Sequence, residues 1–395
     1  MQPADGHMKR CVCYAVVIGL LLCRLVSAAQ PLPDDATLRR QIVQLYPQPL
    51  LPVSHPPFNP PTAAKIALGT MLFTDPNLSR CGTIACVSCH DPAHGYASPY
   101  QVPPGCDGAR GRRRAPSLYN VAYQSHFFWD GRVQSLEQQA LFPVVSPSEM
   151  ANTWDAVLTY LRTGRHTPTD SVHSARQERY AEHFAAVFNG TITPVTVTQA
   201  LAVYERTIFT QDAPFDRWLA GDDAALTPLQ KQGAALFFGR ANCAVCHPPP
   251  LFTDQQFHNI AVPQAGFETP GLFPANATIR ATAGKQGWTI PDDVDLGRQE
   301  VPPLRSSTEA LGAFKTPTLR NVTLHRPYMH NGALATLEDV MRHYEQLAAG
   351  EARPRVGSLA FYVRYRKAFF GANGGGSEED IPAMLAFMQA LVGKR

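Results

Sequence analysis

Beyond Cys23 the 395-residue chain has no apolar run long enough to cross a bilayer, so the body of the protein is expected to have no membrane-spanning helix and no stable membrane insertion. An excess of charge of one sign is also lacking. The 35 Lys and Arg nearly match the 32 Asp and Glu, which speaks against a nucleic-acid partner. Sustained apolar–polar alternation is scarce, so little β-structure is expected. Cysteine is sparse, with nine in all. Cys11, Cys13 and Cys23 lie near the start, four others fall in two copies of one short motif, and only Cys81 and Cys106 are left over.

Residues 1–29 read as a signal peptide. Lys9 and Arg10 form its basic start, Val12 to Cys23 its apolar run, and Val26-Ser27-Ala28-Ala29 a small-residue cleavage region. An uncleaved anchor is the alternative, because Arg24 interrupts the run. Removal of the segment takes away Lys9, Arg10, Arg24 and Asp5 and leaves the remainder close to neutral. The expected destination is the periplasm. In an oxidising compartment Cys81 and Cys106 can pair, or remain separate thiols, since sequence alone does not supply the Cα separation that a disulfide needs.

The repeated motif is Cys-x-x-Cys-His, as Cys86-Val87-Ser88-Cys89-His90 and Cys243-Ala244-Val245-Cys246-His247. Two thiols three positions apart can form thioethers to both vinyl groups of one porphyrin, and the adjacent imidazole then falls beneath the iron. A thioredoxin-like pair or half of a zinc site would explain one copy. Two copies behind an export signal point instead to two covalently bound haem c groups, with His90 and His247 as iron ligands.

A helix is expected before each motif, because Ala64–Phe73 and Leu229–Phe238 form a weak repeat. The second carries a start signal in Thr227, Pro228 and Gln230. Helical periodicity recurs over Ser135–Leu141, Trp154–Leu161, Val197–Phe209, Thr336–Leu347 and Asp380–Val392, with Thr336 and Asp339 again placed as cap and third residue. The 35 prolines and 28 glycines concentrate between these stretches. The expected fold class is mainly α, as two cytochrome c-like domains with long loops, each wrapped around one haem. The first would cover residues 61–220 and the second 224–395, joined at Gly221-Asp222-Asp223 after a long helical stretch broken by Pro214. Residues 30–60 read as a Pro-rich, extended leading segment, and Gly371–Gly376 as a flexible tip.

From about Lys65 to Leu391 the chain closely resembles the bacterial di-haem cytochrome c peroxidases, including the MauG-type enzymes. Besides both haem motifs, the resemblance rests on Leu72-Phe73-Thr74-Asp75-Pro76, Gly82-Thr83-Ile84-Ala85, Arg113-Arg114-Ala115-Pro116-Ser117-Leu118-Tyr119-Asn120, Phe128-Trp129-Asp130-Gly131-Arg132, Phe215-Asp216-Arg217, Phe314 to Val322 and Pro327-Tyr328-Met329-His330-Asn331-Gly332. It implies that the N-terminal haem cleaves hydrogen peroxide and the C-terminal haem takes electrons from a small donor protein, a cytochrome c or a cupredoxin. It implies Met329 as the axial ligand closing the second iron, against the alternative of a core methionine. It implies Glu149 as the catalytic proton carrier with Gln139 as its polar companion, against the alternative of an exposed helix-start charge. Trp129 is implied as an electron relay, against a plain core tryptophan. Arg112, Arg113 and Arg114 either hold haem propionates or form a solvated basic loop, and His258 and His330 are structural or propionate-facing.

Two departures from the family pattern matter. Where many members carry a distal histidine this chain has Cys106, so the first iron is expected to be open on one face. Cys106 could also ligate that iron, pair with Cys81 or stay free. Where members often carry an Asn at a calcium site between the domains this chain has Arg114, which leaves only carbonyls and water for calcium. The function implied is a periplasmic peroxidase. The alternative is a MauG-type enzyme oxidising aromatic residues of a partner protein, which Cys106 favours and Met329 disfavours. The oligomeric state is open, a homodimer included.

Overall fold

The computed structural model describes residues 33–46, 51–164, 175–264, 281, 285, 294–307, 309–357, 359 and 380–395. The expected signal peptide and the Gly371–Gly376 tip lie outside the described residues. Helices dominate. In the first half they are α1 (Asp35–Leu45), α2 (Ala63–Phe73), α3 (Cys86–Cys89), α4 (Leu136–Gln139), α5 (Leu141–Val145), α6 (Trp154–Thr163), α7 (Ala175–Phe188) and α8 (Pro194–Glu205). They continue with α9 (Pro214–Leu219), α10 (Pro228–Phe238), α11 (Leu337–Ala349) and α12 (Ile381–Gln389). Among the described residues the sheet is one antiparallel pair, β1 (Phe257–His258) and β2 (Phe314–Lys315), with Phe257 opposite Lys315.

The start signals act as the sequence suggests. Thr227 Oγ1 accepts the Gln230 amide while Gln230 Oε1 accepts the Thr227 amide, and Thr336 with Asp339 caps α11 in the same reciprocal way. The stretch from Val197 to Leu219 is broken at Pro214 as expected, but the first helix is shorter: α8 ends at Glu205, and a new helix starts at Pro214, whose missing N–H suits a first turn.

Two buried apolar clusters organise the chain. The first gathers Leu68, Leu72 and Phe73 of α2 with Ala200 and Leu201 of α8 and with Tyr160 and Phe184. The second gathers Phe237 of α10, Phe387 of α12, Phe215, Trp218 and Phe252. The repeat noted in the sequence has a packing cause. A Cβ at Gly69 would come within 2.2 Å of the Ala200 carbonyl, and one at Gly233 within 2.0 Å of the Ala383 carbonyl. Each haem-leading helix thus carries a glycine where a second helix crosses it closely.

The leading segment is not extended throughout. Asp34 caps α1, which buries Leu38 and Ile42 in the second cluster, so the first described helix belongs with the later half of the chain. Further on, Asn59 is fully buried, donating to Glu137 Oε1 at 2.7 Å and accepting from Lys65 Nζ at 3.1 Å. These apolar and hydrogen-bonding anchors outweigh the local preference of the prolines for an extended chain.

A stronger repeat joins the halves, at one constant offset in sequence. Asn120 and Asn321 both adopt left-handed backbone before a short 3-10 turn. The bridge between Phe127 and Val133 matches that between Tyr328 and Leu334. The same offset pairs Arg114 with Lys315 and Trp129 with His330, and their contacts are reciprocal. The Arg114 amide donates to the His330 carbonyl at 2.8 Å, and the Lys315 amide donates to the Trp129 carbonyl at 2.8 Å. The seam between the halves is therefore built like the two-fold interface of a dimer, within one chain.

Candidate functional site

The first motif occupies α3, a single turn that ends at His90. The His90 Nδ1–H faces the carbonyls of Pro116 at 3.0 Å and Tyr96 at 3.2 Å. That leaves the Nε2 lone pair for a metal. Burial pushes the His90 imidazole down to about 4, with the Arg114 charge adding to the effect, so the ring is neutral as ligation requires. Cys86 and Cys89 are free thiols, as thioether formation requires.

Glu149 lies in the turn after α5. Burial raises its pKa, and the Arg132 guanidinium partly opposes the rise. Its charge adds to the upward push of burial on the Cys86 and Cys89 thiols, which puts the carboxyl in the neighbourhood of the first motif. Gln139 ends α4, two residues before the start of α5, which leads to Glu149. Arg132 stacks its guanidinium 3.4 Å from the centre of the Phe128 ring and bonds Asp130 at 2.8 Å. Sequence reasoning gave Arg132 no role of its own; its place beside Glu149 depends on a turn that only the fold discloses.

The second motif opens onto a cavity of about 230 Å³ lined by Cys243, Cys246, His247, Trp129, Met329 and His330, among others. His247 Nδ1–H donates to the Phe252 carbonyl at 2.9 Å, which again frees Nε2. Met329 holds left-handed backbone at φ 73°, a costly conformation for a bulky residue that is kept where the surroundings fix it. The structure therefore brings Cys243, Cys246, His247 and Met329 to one cavity, and Trp129 reaches it from the other half.

His330 supplies a test of fit. It is buried, its ring lies 3.5 Å from that of Phe314, and both ring nitrogens lack a partner among the described residues. A buried imidazole with two unmet polar atoms facing an apolar cavity calls for a polar group on a bound cofactor, and haem propionates are of that kind. The residues fit haem. His258 instead pairs with Asp254 at 2.7 Å beside Cys246.

The three arginines are not a solvated loop. Half-buried Arg113 bonds Asp130 at 2.6 Å, Asp295 at 2.7 and 2.8 Å and Glu300 at 3.0 Å, tying the two halves together. Arg112 donates to the Val294 carbonyl at 3.0 Å. Arg114 donates to the carbonyls of Ser98 and Arg326, one in each half. Arg114 thus sets a cation with no oxygen ligand of its own at this position, which does not coordinate calcium. Trp129 Nε1–H bonds the Arg114 carbonyl at 2.9 Å, which fixes the indole at the same seam.

Cys81 and Cys106 form a disulfide, which leaves Cys106 no thiolate for iron. Phe128 stands at the repeat position equivalent to Met329, with φ 63°, and offers no ligand atom. The sequence showed the missing histidine. It did not show that the equivalent of the methionine is a phenylalanine, because the repeat is legible only once the bridges and turns are aligned in space.

A family model described as di-haem cytochrome c peroxidase matches residues 63–224. The chain is 38% identical over 342 residues to a methylamine utilization protein MauG of Methylorubrum extorquens, covering 86% of this chain and 81% of that one. It is 37% identical over 358 residues to the cytochrome-c peroxidase IdrP1 of Denitromonas iodatirespirans, covering 88% and 87%. The crystal structure of the diheme peroxidase BthA from Burkholderia thailandensis superposes with a TM-score of 0.66 at 24% identity, covering 88% of this chain and 89% of that one, and shares its fold.

Proposed function

The chain belongs to the di-haem cytochrome c peroxidase family, and on that premise we propose that it reduces hydrogen peroxide to water in the periplasm with electrons from a small cytochrome c or cupredoxin. In this reading residues 61–220 and 224–395 are cytochrome c-like domains, each holding one covalently attached haem. The observation that carries the reading is the inequality of two equivalent positions. Phe128 has nothing to ligate iron with and would leave the first site open to peroxide, whereas the Met329 thioether would close the second.

Cys86, Cys89 and His90 hold the first haem, and Cys243, Cys246, His247 and Met329 the second. Haem supplies iron that passes electrons singly and, where a coordination position is open, binds peroxide. The remaining chemistry is the work of side chains. Glu149 takes the proton from one peroxide oxygen and returns it to the other, which leaves as water. Burial raises its pKa and so keeps that proton exchangeable closer to neutral pH. Gln139 is its polar companion. Trp129 carries electrons between the halves in this reading, supported by its anchor on the Arg114 carbonyl and its place in the lining of the second cavity.

A second reading is oxidation of aromatic residues on a partner protein, supported by the MauG relatives and by the lack of a histidine at position 106. Mixing peroxide with the oxidised holoprotein, with and without a reduced small cytochrome, separates the two. Rapid donor oxidation at two equivalents per peroxide is the expected result. Slow donor oxidation with a long-lived oxidised protein supports the second reading.

A further inference from the structure

The Cys81–Cys106 disulfide lies outside both haem motifs, and its surroundings converge on one peptide. The Cys106 amide donates to the Glu149 carbonyl at 2.8 Å, and the Arg80 amide donates to the next carbonyl, that of Met150, at 2.9 Å. Consecutive carbonyls of the Glu149 turn are thus gripped by two separate segments, and the disulfide joins those segments to each other. The result is a closed ring: Cys81, Cys106, Glu149, Met150, Arg80 and back to Cys81.

The ring is tightly packed. Cys106 and Met150 are buried at 2% and 3% exposure. A Cβ at Gly105 would come within 2.3 Å of the Ser148 carbonyl and 2.6 Å of the Glu149 carbonyl, so only glycine lets the loop approach the turn this closely. The loop itself is short and self-closed, with the Gly105 amide bonded to the Ala109 carbonyl at 2.7 Å. Apart from its backbone bonds, the loop is anchored to the segment before the first haem motif by the disulfide and by an exposed ion pair between Arg80 and Asp107, which contributes little in water.

We infer that Cys81 and Cys106 are positioning residues: their disulfide fixes the Glu149 turn, so that the proton carrier is set by a covalent staple. The inference rests on the reading of Glu149 as proton carrier. A carboxylate that must reach both oxygens of a small substrate loses effectiveness steeply with displacement, and about 1 Å can cost on the order of 100-fold. Loosening the turn also admits water to the carboxyl and relaxes the effect of burial on it.

The test compares the Cys81→Ser/Cys106→Ser holoenzyme with Gly105→Ala, which keeps the disulfide but pushes the loop off the turn, and with Glu149→Gln. Turnover is measured per haem across pH. Both loop variants are expected to lose roughly 10–100-fold in kcat with less change in KM for peroxide. Glu149 must be deprotonated to accept a proton, so rate rises with pH through its pKa, and that limb is expected to move to lower pH as the carboxyl hydrates. Loss of folded protein or of haem would lower the amplitude without moving the limb. Should the double variant not fold, Gly105→Ala and wild-type enzyme reduced with a phosphine carry the same comparison. Unchanged kcat and pH limb in the loop variants, with Glu149→Gln inactive, overturns the staple and leaves the proton carrier standing. Full activity in Glu149→Gln overturns the reading of Glu149 itself.

Discussion

Phe128 and Met329 occupy the same position in the two halves, each in left-handed backbone, at φ 63° and 73°, one residue after a bridge that closes its turn. The backbone presents both side chains alike, and the chemistry differs only in what they carry. A phenyl ring cannot ligate iron, while a thioether can.

Replacing Met329 with Ala should open the second site. The oxidised protein should gain a high-spin signal in its electronic spectrum, and the midpoint potential of the second haem should fall, because thioether ligation raises it. Potentiometric titration with spectral detection checks both outcomes, and an unchanged spectrum removes Met329 from the ligand set.

Glu149→Gln should keep both haems and lose on the order of 100- to 10,000-fold in peroxide turnover. Haem content by pyridine haemochrome and steady-state donor oxidation measure the two halves of this expectation separately.

Arg113→Ala strands Asp130, Asp295 and Glu300 as buried acids around an empty place. Removing one partner of such a buried group should destabilise the protein by about 3–5 kcal/mol, measured by denaturant unfolding of the holoprotein. Arg113→Lys keeps the charge but cannot bond three carboxylates through a fork, and should fall between the two.

Glu205 is buried at 6% exposure with Oε2 unpartnered among the described residues, and burial pushes its pKa up to about 8, against the pull of Arg206 and with the help of Glu137. The folded state therefore holds a proton that the unfolded chain releases near about 4.3. This contribution to stability is complete below that value and is lost as pH rises through about 8. The melting temperature of wild type should fall across that window, and Glu205→Gln should flatten the fall.

Chelation by EGTA should leave the melting temperature unchanged, because Arg114, held by the Ser98 and Arg326 carbonyls, offers calcium a guanidinium and no oxygen ligand. A large drop on chelation would show a calcium ion held elsewhere along the seam.

Much of the helical framework was legible because helix starts are local. Thr227 with Gln230, and Thr336 with Asp339, announce themselves at fixed spacing, and both haem motifs are chemical patterns within five residues. The leading segment misled because its prolines are local, whereas Leu38 and Ile42 are buried against residues almost two hundred positions away. Arg113 was ambiguous for the same reason: whether three arginines face water or acids depends on Asp295 and Glu300, which only folding brings to them. Cys81 and Cys106 could be identified as the leftover pair. Their grip on the Glu149 turn could not, since it runs through backbone amides that no side-chain pattern records.

The reciprocal bonds from Arg114 to His330 and from Lys315 to Trp129 have one more consequence. In an assembly of two identical subunits, any substitution beside one haem appears beside the other, so a ligand that closes one iron closes both. A single polypeptide that folds into the same two-fold arrangement is released from that constraint. It can keep the geometry of symmetric partners while one side specialises in receiving electrons and the other in spending them.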